Sequence, residues 1–159
     1  MSRDWNVASA LSVFAETDLL RGLPAIFGSI VITASVHHEC RHPRAPAHLQ
    51  GWIGQPPAWL RIVPDPDSLL PETDSLGNGE ASAISLAWDQ RQDSRLILDE
   101  RRGRRVARAL GLPVIGVVAI CAEAANRGLV DFDDALRRLR AADFHLSDAV
   151  IAEVRARLR

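Results

Sequence analysis

Apolar positions in this chain follow two rhythms. SIVIT at 29–33, WLRIV at 59–63, 95–98 around Leu96-Ile97-Leu98, and LPVI at 112–115 are short continuous runs. Runs of this length with no polar alternation predict strands buried on both faces, as in a parallel sheet. Between them apolar residues recur at helical spacing. Helices are predicted over 8–21, where Leu11, Phe14 and Leu19 share a broad apolar face, and over 34–42, limited by Pro43. A further turn or two is expected in APAHLQGWIG, then helices over 80–92, 100–110 and 116–127. Gly111 is placed to cap the second of these three. DFDDALRRLRAA is amphipathic, and SDAVIAEVRARLR opens on Ser147 as an N-cap. Residues 64–79, PDPDSLLPETDSLGNG, form the main irregular connection. Strands alternating with helices predict a single α/β domain over 1–159, its sheet mostly parallel and covered by helices.

Composition narrows the function only a little. The 159 residues suffice for one hydrophobic core, and a net charge of −1 gives no whole-protein attraction to nucleic acid. All 19 basic residues are arginine, whose fork suits phosphate oxygens. Cys40 and Cys121 lie far apart in apolar surroundings and read as free thiols of a reducing compartment. MSRDWN lacks a signal-peptide core and no apolar run could span a bilayer, so the expected location is the cytoplasm, with no membrane partner.

The candidate chemistry lies in three acids. Asp99 ends the strand 95–98, and binding sites of open parallel sheets lie beyond the carboxyl ends of the strands. Glu39, on the helix after strand 29–33, shares a face with Val36 and Cys40. Glu80 begins the helix 80–92 on the face of Ile84, Ala87 and Trp88, opposite Ser82, Ser85 and Asp89. Glu39 and Glu80 are therefore expected to point inward, where an unpaired carboxylate is costly. A divalent ion such as Mg²⁺ or Mn²⁺ is one partner, able to activate water and steady charge on a phosphodiester. Ordinary capping and pairing with Arg41 or Arg44 is the other account of the same acids. Arg101, Arg104, Arg105 and Arg108 fall on one helical stripe, with Val106, Ala109 and Leu110 toward the other side. That stripe is either a solvated face or a phosphate track beside the acids.

LGNGEASAISLA, LILDERRGRRVARALGLPVIG and AEAANRGLV together resemble the PIN-like family of small prokaryotic proteins related to toxin–antitoxin ribonucleases. The likeness rests on a Gly-Glu-Ala helix start, a strand ending in Asp-Glu, a Gly-Arg-x-x-Ala helix, Gly-Leu-x-Val-x-Gly and a helix ending in Arg-Gly-Leu. LPAIFGSIVITASVHHEC and FHLSDAVIAEVRARL extend it over nearly the whole chain from about Leu11. The resemblance implies a three-layer PIN fold, an acidic cluster binding Mg²⁺ or Mn²⁺, and cleavage of RNA. It also implies an antitoxin protein as partner and a homodimer. Its acidic positions match Glu39, Glu80 and Asp99, with Glu100 where a second acid is common.

The first acidic position departs from that pattern. The family's first strand ends in a ligating Asp, where this chain has Val7, followed by Ala8 and Ser9. Only MSRDWN precedes Val7, so that strand is expected to be nearly absent. A small shift puts Asn6 at the ligand position, a neutral and weaker donor; Asp4 is the nearest acid. Val117 stands where a small polar residue is usual after Gly116. Two functions follow: a metal-dependent ribonuclease, possible toxin of a toxin–antitoxin pair, and a degenerate module binding RNA or a protein without cleavage. A zinc site in HHECRH, from His37, His38, Cys40 and His42, is disfavoured because its spacing matches no common zinc motif.

Overall fold

A computed structural model describes residues 4–7, 10–17 and 19–159, with the side chains of 4–7 and Glu16 outside the description. Five strands, β1 (Asp4–Val7), β2 (Ile30–Thr33), β3 (Leu60–Val63), β4 (Ser94–Ile97) and β5 (Val114–Ile115), form one sheet of order β3-β2-β1-β4-β5. Every pairing is parallel. The apolar runs become β2 to β5, but only the inner ones are buried as expected. All four residues of β2 are inside, as are Leu96, Ile97 and Leu98, whereas in the edge strand β3 only Leu60 is buried and Arg61 and Ile62 are exposed, and both residues of the edge strand β5 are half-buried. The expected α/β class and parallel sheet are thus the observed ones.

The centre of the sheet differs from expectation. β1 was expected to be nearly absent, yet it occupies the middle position, with Trp5 and Asn6 paired to Ile30 and Val31 on one side. On the other side Asp4 to Val7 run in register with Ser94 to Ile97. DWNV has no strand signature of its own. Hydrogen bonding from both neighbours supplies what composition does not.

Helices flank the sheet. The predicted helix 8–21 is shorter in the structure: α1 covers Ala10–Glu16, a 3₁₀ turn follows at Leu20–Gly22, and a further helix not expected from the sequence, α2, covers Leu23–Phe27. Pro24, in the first turn of α2, is tolerated only at such a start. α3 (Ala34–Cys40) follows β2 directly, and Thr33 caps it by accepting the Val36 N–H at 3.1 Å. α4 (Ala47–Ile53) leads into β3.

α5 (Asn78–Asp89) packs against β1, β2 and β4 and lies between α3 and the next helix, α6 (Arg101–Ala109). The polar face expected at Ser82 and Ser85 is instead interior: every residue from Gly79 to Ala87 is buried. Both hydroxyls are satisfied there. Ser82 Oγ donates to the Gly79 carbonyl at 2.9 Å and shares a 2.7 Å hydrogen bond with Thr33 Oγ1. Ser85 Oγ accepts the Leu70 N–H at 2.9 Å. Small residues on all sides let α5 approach its neighbours closely. Trp88, at the end of this stretch, is only half-buried, with the Arg91 guanidinium 4.6 Å above its ring.

Gly111 ends α6 in the left-handed region at φ 76°, as its position suggested. α7 (Val117–Asn126), α8 (Phe132–Ala141) and α9 (Asp148–Arg155) close the fold, with α8 and α9 packed on α7. Asp131 and Ser147 cap the last two helices. Among the described residues, no helix is long and apolar enough to cross a membrane.

Candidate active site at the carboxyl edge of the sheet

The strand order sets the location. The chain steps from β1 outward to β2 and β3, then returns to the other side of β1 as β4. Such a reversal opens a crevice beyond the carboxyl ends of the two strands that flank it, here β1 and β4. Asp99 lies just past β4, and Glu39 lies on α3 beyond β2.

Each of the three acids rests on a glycine at the start of a helix. Glu39 Oε1 accepts the N–H of Gly79, the second residue of α5, at 2.9 Å. A Cβ on Gly79 would lie only 2.3 Å from Glu39 Oε2. Glu80 lies against Gly103, in the first turn of α6, where an added Cβ would stand 3.0 Å from Glu80 Oε2. Asp99 Oδ2 accepts the Val117 N–H at 3.0 Å, and its Oδ1 is 3.2 Å from where a Cβ on Gly116, the N-cap of α7, would be. Helix N-termini carry partial positive charge and free N–H groups, so each seat favours a carboxylate. A Cβ at Gly79 would fill the seat outright, and at Gly103 or Gly116 it would crowd the carboxylate.

The seats connect. Glu80 follows Gly79 on α5, and Arg104 follows Gly103 on α6. Arg104 Nη1 comes 3.4 Å from the would-be Cβ of Gly116, beside Asp99. The contacts thus run from Glu39 through α5 to Glu80, through α6 to Arg104, and on to Gly116 and Asp99. Asp99 has its pKa raised, chiefly by burial, with the Val117 N–H and the Arg104 charge opposing the rise.

Two expectations about side-chain direction need correction. Glu80 points inward and is 7% exposed, as predicted, but Glu39 is exposed. Val36 and Cys40 take the core side of the short α3, leaving Glu39 at its rim, from where it reaches across to α5. The arginine stripe also divides. Arg101, Arg105 and Arg108 are exposed, whereas Arg104 is half-buried and turned toward Asp99. The buried side of α6 is Gly103 and Ala107, with Val106 and Leu110 partly buried, while Ala109 is exposed.

Beside Glu39 opens a cleft of about 260 Å³ lined by Ala34, Ser35, His38, Glu39, Asp65 and Asn78. Asp65 escaped the sequence reading because it sits in a Pro-Asp-rich connection. It holds the first turn of α3, accepting the Ser35 N–H at 2.9 Å and the Ser35 hydroxyl at 2.5 Å. The glycine seats were equally hidden, although Gly79 and Gly103 directly precede Glu80 and Arg104.

Oxygen donors of this kind suit Mg²⁺ or Mn²⁺, which are held by one or two carboxylates completed by waters and substrate phosphate. In donor chemistry the residues fit such an ion. The three acids do not form a three-ligand cage: among the described residues, no three His, Cys, Asp or Glu side chains gather about one point. Asn6 stands opposite Leu96 in the central strand, and its side chain lies outside the described residues. HHECRH is not brought together either. Cys40 is buried, its thiol pushed up to about 11 by burial and by Glu39, while His38 and His42 are exposed.

The DUF3368 family model, described as a PIN domain, matches residues 7–159. The chain belongs to this PIN-domain family. No curated protein matches it. The matched region begins at Val7, the last residue of β1, and includes every acid and glycine of the site. PIN domains form a nuclease-like superfamily, so the carboxyl-edge crevice of this PIN domain is the place to look for its chemistry.

Proposed function

We propose that this PIN domain is a metal-dependent endoribonuclease, whose Mg²⁺ or Mn²⁺ would be held by one or two carboxylates at a time from among Glu39, Glu80 and Asp99, with water and substrate phosphate completing the shell. The observation that carries this is the seating of three carboxylates on three successive helix N-termini around the crevice where the strand order reverses. A bound divalent ion supplies Lewis acidity toward a phosphodiester. The chain's own groups supply the rest. The seats on α5, α6 and α7 fix where negative charge is presented, and the exposed Arg101, Arg105 and Arg108 hold the RNA backbone. The toxin role, an antitoxin partner and a homodimer rest on the family resemblance.

The test is cleavage of mixed-sequence single-stranded RNA in Mn²⁺, beside the same protein in EDTA and Asp99→Asn. Cleavage that requires both the metal and Asp99 is expected. Equal cleavage by Asp99→Asn sinks the assignment.

Val7 at the end of β1 and the separate seating of the acids favour a second reading, a degenerate module that binds RNA without cutting it. That module would bind RNA equally well in EDTA and release it as salt rises.

A further inference from the structure

The arginines of α6 do not share one environment. Arg101, Arg102, Arg105 and Arg108 stand in solvent, while Arg104 is drawn into the crevice. Its Nε is buried with no acceptor among the described residues. A buried donor left unmet is costly, and packing alone would have let this side chain leave with its neighbours. Nor is Arg104 there to neutralise an acid by contact: among the described residues it forms no ion pair. Its Nη1 instead lies over Gly116, beside Asp99. The absence of a side chain at Gly116 lets the two groups sit there, since a Cβ would stand 3.4 Å from Nη1 and 3.2 Å from Asp99 Oδ1.

We propose that Arg104 is the phosphate-holding residue of the crevice, its Nη1/Nη2 end forming a two-pronged contact with the non-bridging oxygens of one RNA phosphate. Packing around the sealed Nε orients the guanidinium before substrate arrives, and the fork matches two phosphate oxygens where an ammonium would meet them as a point charge. Arg101, Arg105 and Arg108 then serve flanking phosphates from outside the crevice. The positive end of Arg104 also offsets Asp99, so that a phosphate can approach an acidic site. This rests on the RNA-directed reading of the site, but it does not require cleavage.

The experiment is a titration of ¹⁵N-labelled protein in EDTA with oligouridylate, reading the arginine Nε–H resonances and the affinity. The Arg104 signal is identified by its loss in Arg104→Lys. Movement of that signal on binding is expected. Affinity should fall about tenfold or more in both Arg104→Lys and Arg104→Met, the value of one charge-assisted contact. Arg140→Lys, at an exposed arginine of α8 outside the proposed contacts, should stay close to the parent. An unmoved Arg104 signal in a protein that binds, or full affinity in Arg104→Met, overturns the proposal and leaves the ribonuclease reading standing. Failure of the parent to bind at all overturns it too. Binding through Arg104 without Mn²⁺-dependent cleavage supports it and counts against the ribonuclease.

Discussion

Gly79→Ala separates the site from the fold. The new Cβ would sit 2.3 Å from Glu39 Oε2, 2.8 Å from its Cδ and 2.9 Å from Oε1. Ordinary contact begins near 3.5 Å, so the carboxylate must retreat by roughly 1 Å or swing away. Its 2.9 Å bond from the Gly79 N–H then breaks. Glu39 is exposed, so it can leave into solvent without moving the backbone. The lost bond, discounted for screening, costs about 1 kcal/mol. Alanine in place of glycine within a helix returns about 0.5–1 kcal/mol. Stability should therefore change by less than about 1 kcal/mol, which is roughly 2–4 °C in Tm for a chain of this size. Mn²⁺-dependent RNA cleavage should fall as far as it does in Glu39→Gln. Thermal unfolding by circular dichroism and a gel cleavage assay on the same preparation read both quantities. Parental cleavage in a folded Gly79→Ala protein refutes the idea that this seat positions Glu39 for function. A large loss of Tm refutes the idea that the seat can be emptied cheaply.

Gly103→Ala should behave oppositely: its Cβ would lie 3.0 Å from Glu80 Oε2 and 3.3 Å from Cδ, and Glu80, at 7% exposure, has nowhere to go. Overpacking of about 1–3 kcal/mol should lower stability, read in urea as a lower unfolding midpoint with an unchanged slope. Asp99 gives a pH signature in metal-free protein. Its folded pKa is raised, by burial first, so the folded state holds its proton more tightly and Asp99 detracts from stability as pH rises through that value. Asp99→Asn should therefore raise Tm at pH 7, and this advantage should vanish below about pH 4, where the unfolded carboxyl is protonated as well; an equal gain at every pH would contradict the burial account. Removing the charges of Arg101, Arg105 and Arg108 together should flatten the dependence of log affinity on log salt by about 2 if all three contact single-stranded RNA phosphates. An unchanged slope would remove them from the interface.

Local pattern was enough for much of this protein. Short, mostly apolar runs between helical stretches are the mark of a parallel sheet, so the positions of β2 to β5 and the α/β class were legible in the sequence, while the exposure of β3 follows from its place at the sheet edge. Ser147 and Gly111 marked helix boundaries because cap chemistry is local. The acids Glu80 and Asp99 could be placed at strand and helix ends for the same reason. Tertiary structure decided the rest. β1 is a strand because two neighbours hydrogen-bond it, a property that DWNV does not carry within itself. Ser82 and Ser85 are buried because α3, α6 and the sheet surround α5, and hydroxyl partners arrive from residues as distant in sequence as Thr33. Glu39 is exposed and Arg104 is drawn inward because the neighbouring helices set where each side chain has room. Most distinctively, the glycine seats join residues 40 apart at Glu39 and Gly79. Helical periodicity shows which face a residue is on; only the packing of one helix start against another shows which carboxylate it receives.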